Sequence, residues 1–88
     1  MSQDPPVLRR YDYYLGPQSI GELWRATNGA LTMRCVVSTH RLGWELRLTV
    51  NGDQRRSDVC RSQHEVYDRA DAWQKEAALK GWTLEVAS

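Results

Sequence analysis

Apolar and polar residues alternate most regularly over residues 44–50, WELRLTV. Every second side chain in this stretch is apolar, which is the pattern of a strand that buries one face. Asn51-Gly52 follows directly, and this pair readily accepts the positive φ angles of a two-residue hairpin turn. The pattern therefore predicts a β-hairpin whose second strand covers residues 53–61.

A second Asn-Gly pair separates two earlier segments that have the same period of two. If Asn28-Gly29 forms a two-residue turn, Trp24 lies opposite Met33, and the apolar residues of both segments share one face. A loop at residues 40–43 then continues this face onto the next strand. We therefore expect a four-stranded antiparallel meander, with strands at about residues 20–27, 30–39, 44–50 and 53–61.

The fourth predicted strand carries mostly polar and charged residues, which suits the edge of a sheet. A two-residue turn before it places Val59 on the apolar face and points Arg56 and Asp58 to solvent. A slip of one residue would instead bury both charges, and unpaired buried charges are strongly destabilising. We therefore expect the first register, in which Arg47 lies directly opposite Arg56.

A helix is predicted over residues 63–80, because Ser62 and Glu65 form a capping box at its start and Gly81 can end it in a left-handed conformation. We expect Trp73, on the apolar stripe of this helix, to pack across the sheet. The predicted apolar sheet face consists of Trp24, Leu31, Met33, Cys35, Val37, Trp44, Leu46, Leu48 and Val50. Residues 82–86 alternate again and predict a short extended segment, so the expected fold class is α+β.

The length of 88 residues is that of one small domain with a modest core, which we place at residues 11–88. Residues 1–10 contain two prolines and two consecutive arginines, a composition typical of a flexible arm. Tyr11, Tyr13 and Tyr14 follow, and two roles are open for them: capping one end of the core or stacking on a ligand. A core this small also makes a homodimer a reasonable expectation.

Hydrophobicity and composition indicate the cellular compartment and the source of the protein. No apolar run is long enough to cross a bilayer, and the first ten residues lack the apolar centre of a signal peptide, so we expect a cytoplasmic protein. Ten of the twelve basic residues are Arg, which suggests a bacterial source.

Residues 1–62 carry nine Arg against six carboxylates, whereas residues 63–88 carry three basic against five acidic residues. A basic sheet followed by an acidic helix suggests an anionic partner on the sheet side.

The predicted register points to three arginines as ligand-binding residues: Arg34, Arg47 and Arg56. Like charges that face each other across a strand pair repel, so an anion such as a phosphate between Arg47 and Arg56 would explain their position. The alternative is a solvated checkerboard, in which Glu45 and Asp58 neutralise these arginines diagonally.

Other chemistry finds little support in the sequence. Glu45 and Asp58 would face each other on an open sheet, without the desolvated pocket that raises the pKa of a general acid. His40, His64 and the two cysteines, Cys35 and Cys60, lack the spacing of a zinc site. We expect both cysteines to be small buried or half-buried thiols. We expect no enzyme activity, no metal and no cofactor.

The order of an Arg-bearing meander and one capped helix resembles the plant ethylene-responsive DNA-binding domain and the arm-binding domains of some phage integrases. The similarity covers about residues 31–81 and implies strands that enter the major groove of DNA. A unit of four strands and one helix is also similar to half of the Whirly and transcriptional-coactivator single-strand binders, which dimerise. Glu45 and Asp58 depart from this pattern, because a groove-reading sheet favours neutral or basic groups.

The sequence therefore favours a small non-enzymatic bacterial module that binds nucleic acid through the exposed, Arg-bearing sheet face and acts in regulation. The alternative is a protein–protein adaptor, or a subunit of a larger complex, whose helix, edge strand or tyrosines dock a partner chain. No membrane partner is expected.

Overall fold

The computed structural model describes residues 18–85, and they form one α+β domain. The elements are β1 (Ser19–Asn28), β2 (Leu31–His40), β3 (Gly43–Val50), β4 (Asp53–Cys60), α1 (Gln63–Leu79) and β5 (Thr83–Leu84). The predicted arm at residues 1–10, the tyrosines at positions 11, 13 and 14 and the last predicted extended residue, Val86, lie outside the described residues.

The sheet is antiparallel, with the strand order β4-β3-β2-β1-β5. The four long strands form the predicted meander, and α1 packs on one side of it against β1, β3 and β4. We call this side the inner face and the opposite side the outer face. The predicted α+β architecture is confirmed, and β4 lies at an edge as expected.

The central register follows the predicted turns. Asn51 and Gly52 have φ angles of 51° and 90°, so both accept the left-handed conformation that a type I′ hairpin turn requires. Between β2 and β3, Thr39 lies opposite Trp44, and the pairing continues without a bulge to Met33 and Val50. The apolar side chains of these two strands therefore point together to the inner face.

The predicted pairing between β1 and β2 is wrong by two residues. The turn consists of Gly29 and Ala30 rather than Asn28 and Gly29, and only the glycine has a positive φ, of 62°. This is the arrangement of a type II′ turn, which needs glycine at its first central position. Trp24 consequently lies opposite Cys35 and not Met33. A shift of two residues keeps Trp24 and Ala26 on their predicted face. A bulge between Glu22 and Trp24 turns Glu22 to the outer face, beside Arg25 and Arg34.

The predicted register of β4 is wrong by one residue. Thr49 lies opposite Gln54 as expected, but Leu48 lies opposite Arg56, so Arg55 is an extra residue in the edge strand. This β-bulge turns Arg56 and Asp58 to the inner face. The expected penalty does not arise, because both charges lie beside oppositely charged side chains of α1.

The helix begins and ends as its sequence indicates. The Ser62 hydroxyl accepts a hydrogen bond from the Glu65 amide at 3.1 Å, and the Glu65 carboxylate accepts one from the Arg61 amide at 2.8 Å. At the other end, Trp82 and Gly81 donate their amides to the carbonyls of Ala77 and Ala78, which is a Schellman motif. This turn directs the chain into β5, which pairs with β1.

The core forms between α1 and the inner sheet face. Trp73 is 3% exposed, and the other buried helix residues lie on the same predicted stripe. The indole nitrogen of Trp24 donates to the Ala70 carbonyl at 2.9 Å, a buried hydrogen bond that ties β1 to the middle of α1. Most of the predicted sheet face is buried. Leu31 is 42% exposed because it lies at the β1–β2 turn, and Trp44 is half-buried.

Replacing Trp73 tests whether this helix–sheet contact holds the fold together. We expect Trp73→Ala to lower the free energy of unfolding by about 3–5 kcal/mol, because it leaves a large cavity in a core with one layer on each side. Tyr67→Ala, on the exposed side of the same helix, serves as the control and should change it by less than about 0.5 kcal/mol. Thermal and urea denaturation followed by circular dichroism measures both, and an unchanged midpoint for Trp73→Ala would contradict the packing described.

Candidate anion-binding surface

The outer face is where the structure brings arginines together. Arg25 on β1 lies directly opposite Arg34 on β2. Arg34 lies opposite Thr49 on β3, and Arg47 is two residues further back along that strand. Side chains two residues apart share a face, so Arg25, Arg34 and Arg47 form a diagonal row across three strands.

One carboxylate serves the first two arginines of this row. The Nε and Nη2 atoms of Arg25 each lie 3.1 Å from a carboxylate oxygen of Glu22. The Nε atom of Arg34 lies 3.4 Å from Oε1 of the same Glu22 carboxylate. The hydrogen bonds that Arg25 donates to Glu22 raise the pKa of Arg25, so this guanidinium keeps its charge. Two guanidinium groups share one carboxylate at close range and keep unused N–H donors, while the charge of Glu85 also acts on Arg25.

A shallow polar depression adjoins this cluster and is open to solvent. It has a volume of about 380 Å³ and is lined by Arg25, Thr32, Arg34, Thr49, Asn51 and Gly52. The Asn51 side chain accepts a hydrogen bond from the Thr32 amide at 2.9 Å, which fixes the floor of the depression to the β3–β4 turn. Hydroxyl groups and guanidinium groups around one opening are the donors that bind phosphate or carboxylate oxygens.

Arg47 and Arg56, the other predicted pair, do not face each other. Arg47 lies on the outer face opposite Ser57 and is half-buried. Arg56 lies on the inner side, where its guanidinium is 2.6 Å from the Glu76 carboxylate and 4.7 Å from the centroid of the Trp73 ring. The prediction that Arg34, Arg47 and Arg56 share one surface is therefore wrong, because the bulge at Arg55 rotates Arg56 to the helix.

The same rotation separates the two carboxylates considered for acid–base chemistry. Glu45 lies opposite Val59 on the outer face, whereas Asp58 pairs with Arg69 of α1 on the inner side. Arg69 also lies 3.6 Å from Glu65. The edge strand is thus attached to the helix by two ion-paired clusters, one at Asp58 and one at Arg56.

The cysteines are core residues. Cys35 and Cys60 are both completely buried free thiols on strands that β3 separates. Burial raises the pKa of Cys35 to about 12 and also raises the pKa of Cys60, to which the charge of Glu65 contributes. Both therefore stay protonated near neutral pH, the form that is neither nucleophile nor metal ligand. Within residues 18–85 no three metal-binding side chains come together.

Sequence reasoning missed Arg25. With a turn at Asn28-Gly29, Arg25 faces Thr32, and no pair of like charges draws attention to it. The observed turn at Gly29-Ala30 places it opposite Arg34. A glycine followed by alanine can also form a two-residue turn. The signal in the sequence was therefore Gly29-Ala30, whose register places Arg25 opposite Arg34.

Comparison of the chain with protein-family models, with curated proteins and with solved structures finds no match. The resemblances drawn from the order of strands and helix therefore remain analogies of architecture. Among the described helices, none has the length and apolar character needed to span a membrane.

We predict that Arg56 contributes to stability, contrary to what its predicted exposed position implied. Arg56→Ala should lower the free energy of unfolding by about 1 kcal/mol, because it removes both the contact with the Trp73 ring and the ion pair with Glu76. Arg55→Ala, at the exposed bulge one residue earlier, is the matched control and should be nearly neutral. Urea denaturation measures both, and equal effects of the two changes would show that Arg56 is not held by the helix.

The Glu76 ion pair also predicts a pH dependence. The hydrogen bond from Arg56 lowers the pKa of Glu76 below its ordinary value of 4.5. The pair therefore stabilises the fold above the unfolded-state pKa, and this stabilisation is lost as the pH falls through the lower folded-state pKa. We expect Glu76→Gln to be less stable than the natural chain at neutral pH, with a difference that shrinks as the pH falls below 4.5.

Denaturation midpoints measured between pH 7 and pH 3 test this expectation. Asp71→Asn removes one negative charge elsewhere on the helix, where Asp71 lies 3.2 Å from Lys75, and is the control for the general effect of charge. A difference between Glu76→Gln and the natural chain that stays constant over this range would contradict the pairing with Arg56.

Proposed function

We propose that the protein is a small non-enzymatic binding module that contacts nucleic acid through the outer face of its sheet. The observation that carries the proposal is the pair Arg25 and Arg34, which lie opposite each other, share one carboxylate and border an open polar depression. A phosphate oxygen in this depression would neutralise the remaining positive charge and accept the unused N–H groups.

The composition of the face indicates which part of a nucleic acid it would contact. The described tryptophans do not border the depression. Trp24 and Trp73 are buried in the core, and Trp44 and Trp82 are partly buried and pack against the core. Single-strand binders usually stack bases on exposed aromatic rings. The described residues that line the depression offer hydroxyls and guanidinium groups and no ring, which favours contact with the phosphate backbone, and we therefore propose a duplex as the preferred form.

The edge strand offers less to a protein partner. Strand addition needs an exposed edge with a regular backbone, whereas β4 is bulged at Arg55 and its other outer residues are mostly polar. We therefore keep nucleic acid as the proposed ligand and treat a partner chain as the result that would replace it. The proposal includes a role in regulation and a bacterial cytoplasm. The excess of Arg over Lys supports the bacterial source, and the two unpaired thiols support a reducing compartment.

Titration of double- and single-stranded DNA and of RNA, followed by fluorescence anisotropy at two salt concentrations, tests the proposal. We expect affinity for duplex to fall steeply as salt rises, and Arg34→Ala to lower the salt slope by about one unit, because one phosphate contact is lost. Lys75→Ala removes the same charge from the exposed surface of α1 and should leave the slope unchanged. Absence of binding at low salt, or equal losses for both variants, would reject the outer face as the nucleic-acid site.

A variant with the opposite expected sign makes the test sharper. Glu22→Gln keeps the shape of the side chain but frees both guanidinium groups, so we expect it to increase affinity for duplex DNA by about tenfold or less at low salt. Asp71→Asn removes one negative charge on α1, where Asp71 pairs with Lys75, and is the control for the change in net charge. The same increase in both variants would mean that net charge alone, and not the cluster at Glu22, determines binding.

A further inference from the structure

Arg47 is the one arginine of the diagonal row that has no counter-ion among residues 18–85. Arg25 and Arg34 share Glu22, whereas no described carboxylate forms an ion pair with Arg47. Arg47 is half-buried, and its Nε atom is buried without a hydrogen-bond partner. A charged group that is partly removed from water and has no partner is unfavourable for stability. Its position is therefore better explained by an anion that binds it than by the fold.

Described side chains surround Arg47 on the outer face. Val36 lies directly opposite it on β2 and is half-buried, and Ser57 lies directly opposite it on β4 and is exposed. Ser38, which is 1% exposed, is its diagonal neighbour on β2. Because the Nε atom is buried, the guanidinium group is held close to the sheet. A ligand that binds this group therefore has little side-chain motion to restrict.

Glu45 is the charged residue that shares the outer face with Arg47 on β3. It is half-buried, lies two residues earlier on the strand and is directly opposite Ser38. Side chains at this spacing are roughly 7 Å apart along a strand, and no ion pair joins Glu45 to Arg47. Its negative charge repels anions. An anionic ligand of Arg47 therefore approaches from the other side, where Thr49 and Arg34 border the depression.

The pair Arg25 and Arg34 and the single Arg47 offer two separate places for an anion. Glu22, on β1, draws the guanidinium groups of Arg25 and Arg34 toward that strand, whereas Arg47 lies on β3. Neighbouring strands are about 4.8 Å apart, so β1 and β3 are separated by roughly 10 Å. One phosphate group is too small to span this distance. Linked phosphates of a nucleic-acid backbone can contact both places.

We propose that Arg47 is a second phosphate contact of the outer face, and that the ligand carries linked phosphates that cross the sheet from β1 to β3. This inference rests on the proposed binding of nucleic acid and adds to it a residue and a direction. A single phosphate group or a mononucleotide would occupy the depression alone. A bound backbone would also supply the counter-ion that Arg47 lacks among the described residues.

Salt-dependent titration of the full-length chain with a DNA duplex, followed by fluorescence anisotropy, tests the inference. Arg47→Met keeps much of the apolar stem and removes the charge, and Arg34→Met does the same beside the depression. We expect each change to reduce the magnitude of the salt slope by about one unit and the double change by about two, because the two residues contact different phosphates. Lys75→Met, on the exposed surface of α1, is the control and should leave the slope unchanged.

Thermal denaturation of the same variants separates a role in binding from a role in folding. We expect Arg47→Met to keep or raise the thermal midpoint, because it removes a partly buried charge that has no described partner. A lower thermal midpoint together with an unchanged salt slope would show that Arg47 supports the fold and contacts no ligand.

Two further results would overturn the inference while leaving the proposed function in place. In the first, Arg34→Met reduces the salt slope and Arg47→Met does not, so the duplex binds at the depression without Arg47. In the second, the double change reduces the slope no more than either single change, so both arginines contact one phosphate. Absence of duplex binding by the natural chain, or an unchanged slope for Arg34→Met, would reject the proposed function and this inference with it.

Discussion

The structure depends on the contact between one helix and one face of the sheet. A domain with a single layer on each side of its core has few other sources of stability, and Trp73 is the largest of the buried helix side chains. The hydrogen bond from Trp24 to the Ala70 carbonyl fixes where the helix crosses the sheet. Once this position is set, Glu76 and Arg69 of the helix lie beside the edge strand and determine which of its charges can turn inward.

The edge strand shows why the outer face differs from its predicted form. The bulge at Arg55 moves Arg56 and Asp58 next to the helix, where each forms an ion pair at the border of the core. Half-exposed pairs of this kind add modest stability, yet they remove two charges from the outer face. The pair of arginines that face each other on the outer side is therefore not Arg47 and Arg56 at the edge but Arg25 and Arg34, on β1 and β2.

Local signals were enough to predict most of the architecture. The turn at Asn51-Gly52, the β2–β3 register and both ends of the helix follow from residues that interact with near neighbours in the chain. The β4 register could not be predicted in this way, because the argument against burying Arg56 treated the charge as unpaired. Its partner, Glu76, is twenty residues away, and only the packing of the helix brings the two together.

The sequence predicted arginines on the outer face, but it did not predict all of the residues that form the candidate site. Arg34 and Arg47 lie on the outer face as expected, while Arg56 is replaced there by Arg25. The missing information was the choice between two glycine-containing turns, which differ by two residues in register and leave the apolar pattern unchanged. Hydrophobic periodicity determines the face of a residue, and only the turn determines its partner across the strand pair.

The helix covers the inner face, and we propose that the part of the outer face around Arg25 and Arg34 binds an anionic ligand. The most direct measurement is an amide-resolved NMR titration of the full-length chain with a short DNA duplex at low salt. We predict that the shifted amides cluster around Arg25, Thr32, Arg34 and Thr49. Shifts confined to the exposed side of α1 or to the free edge of β4, with none around the depression, would contradict the account.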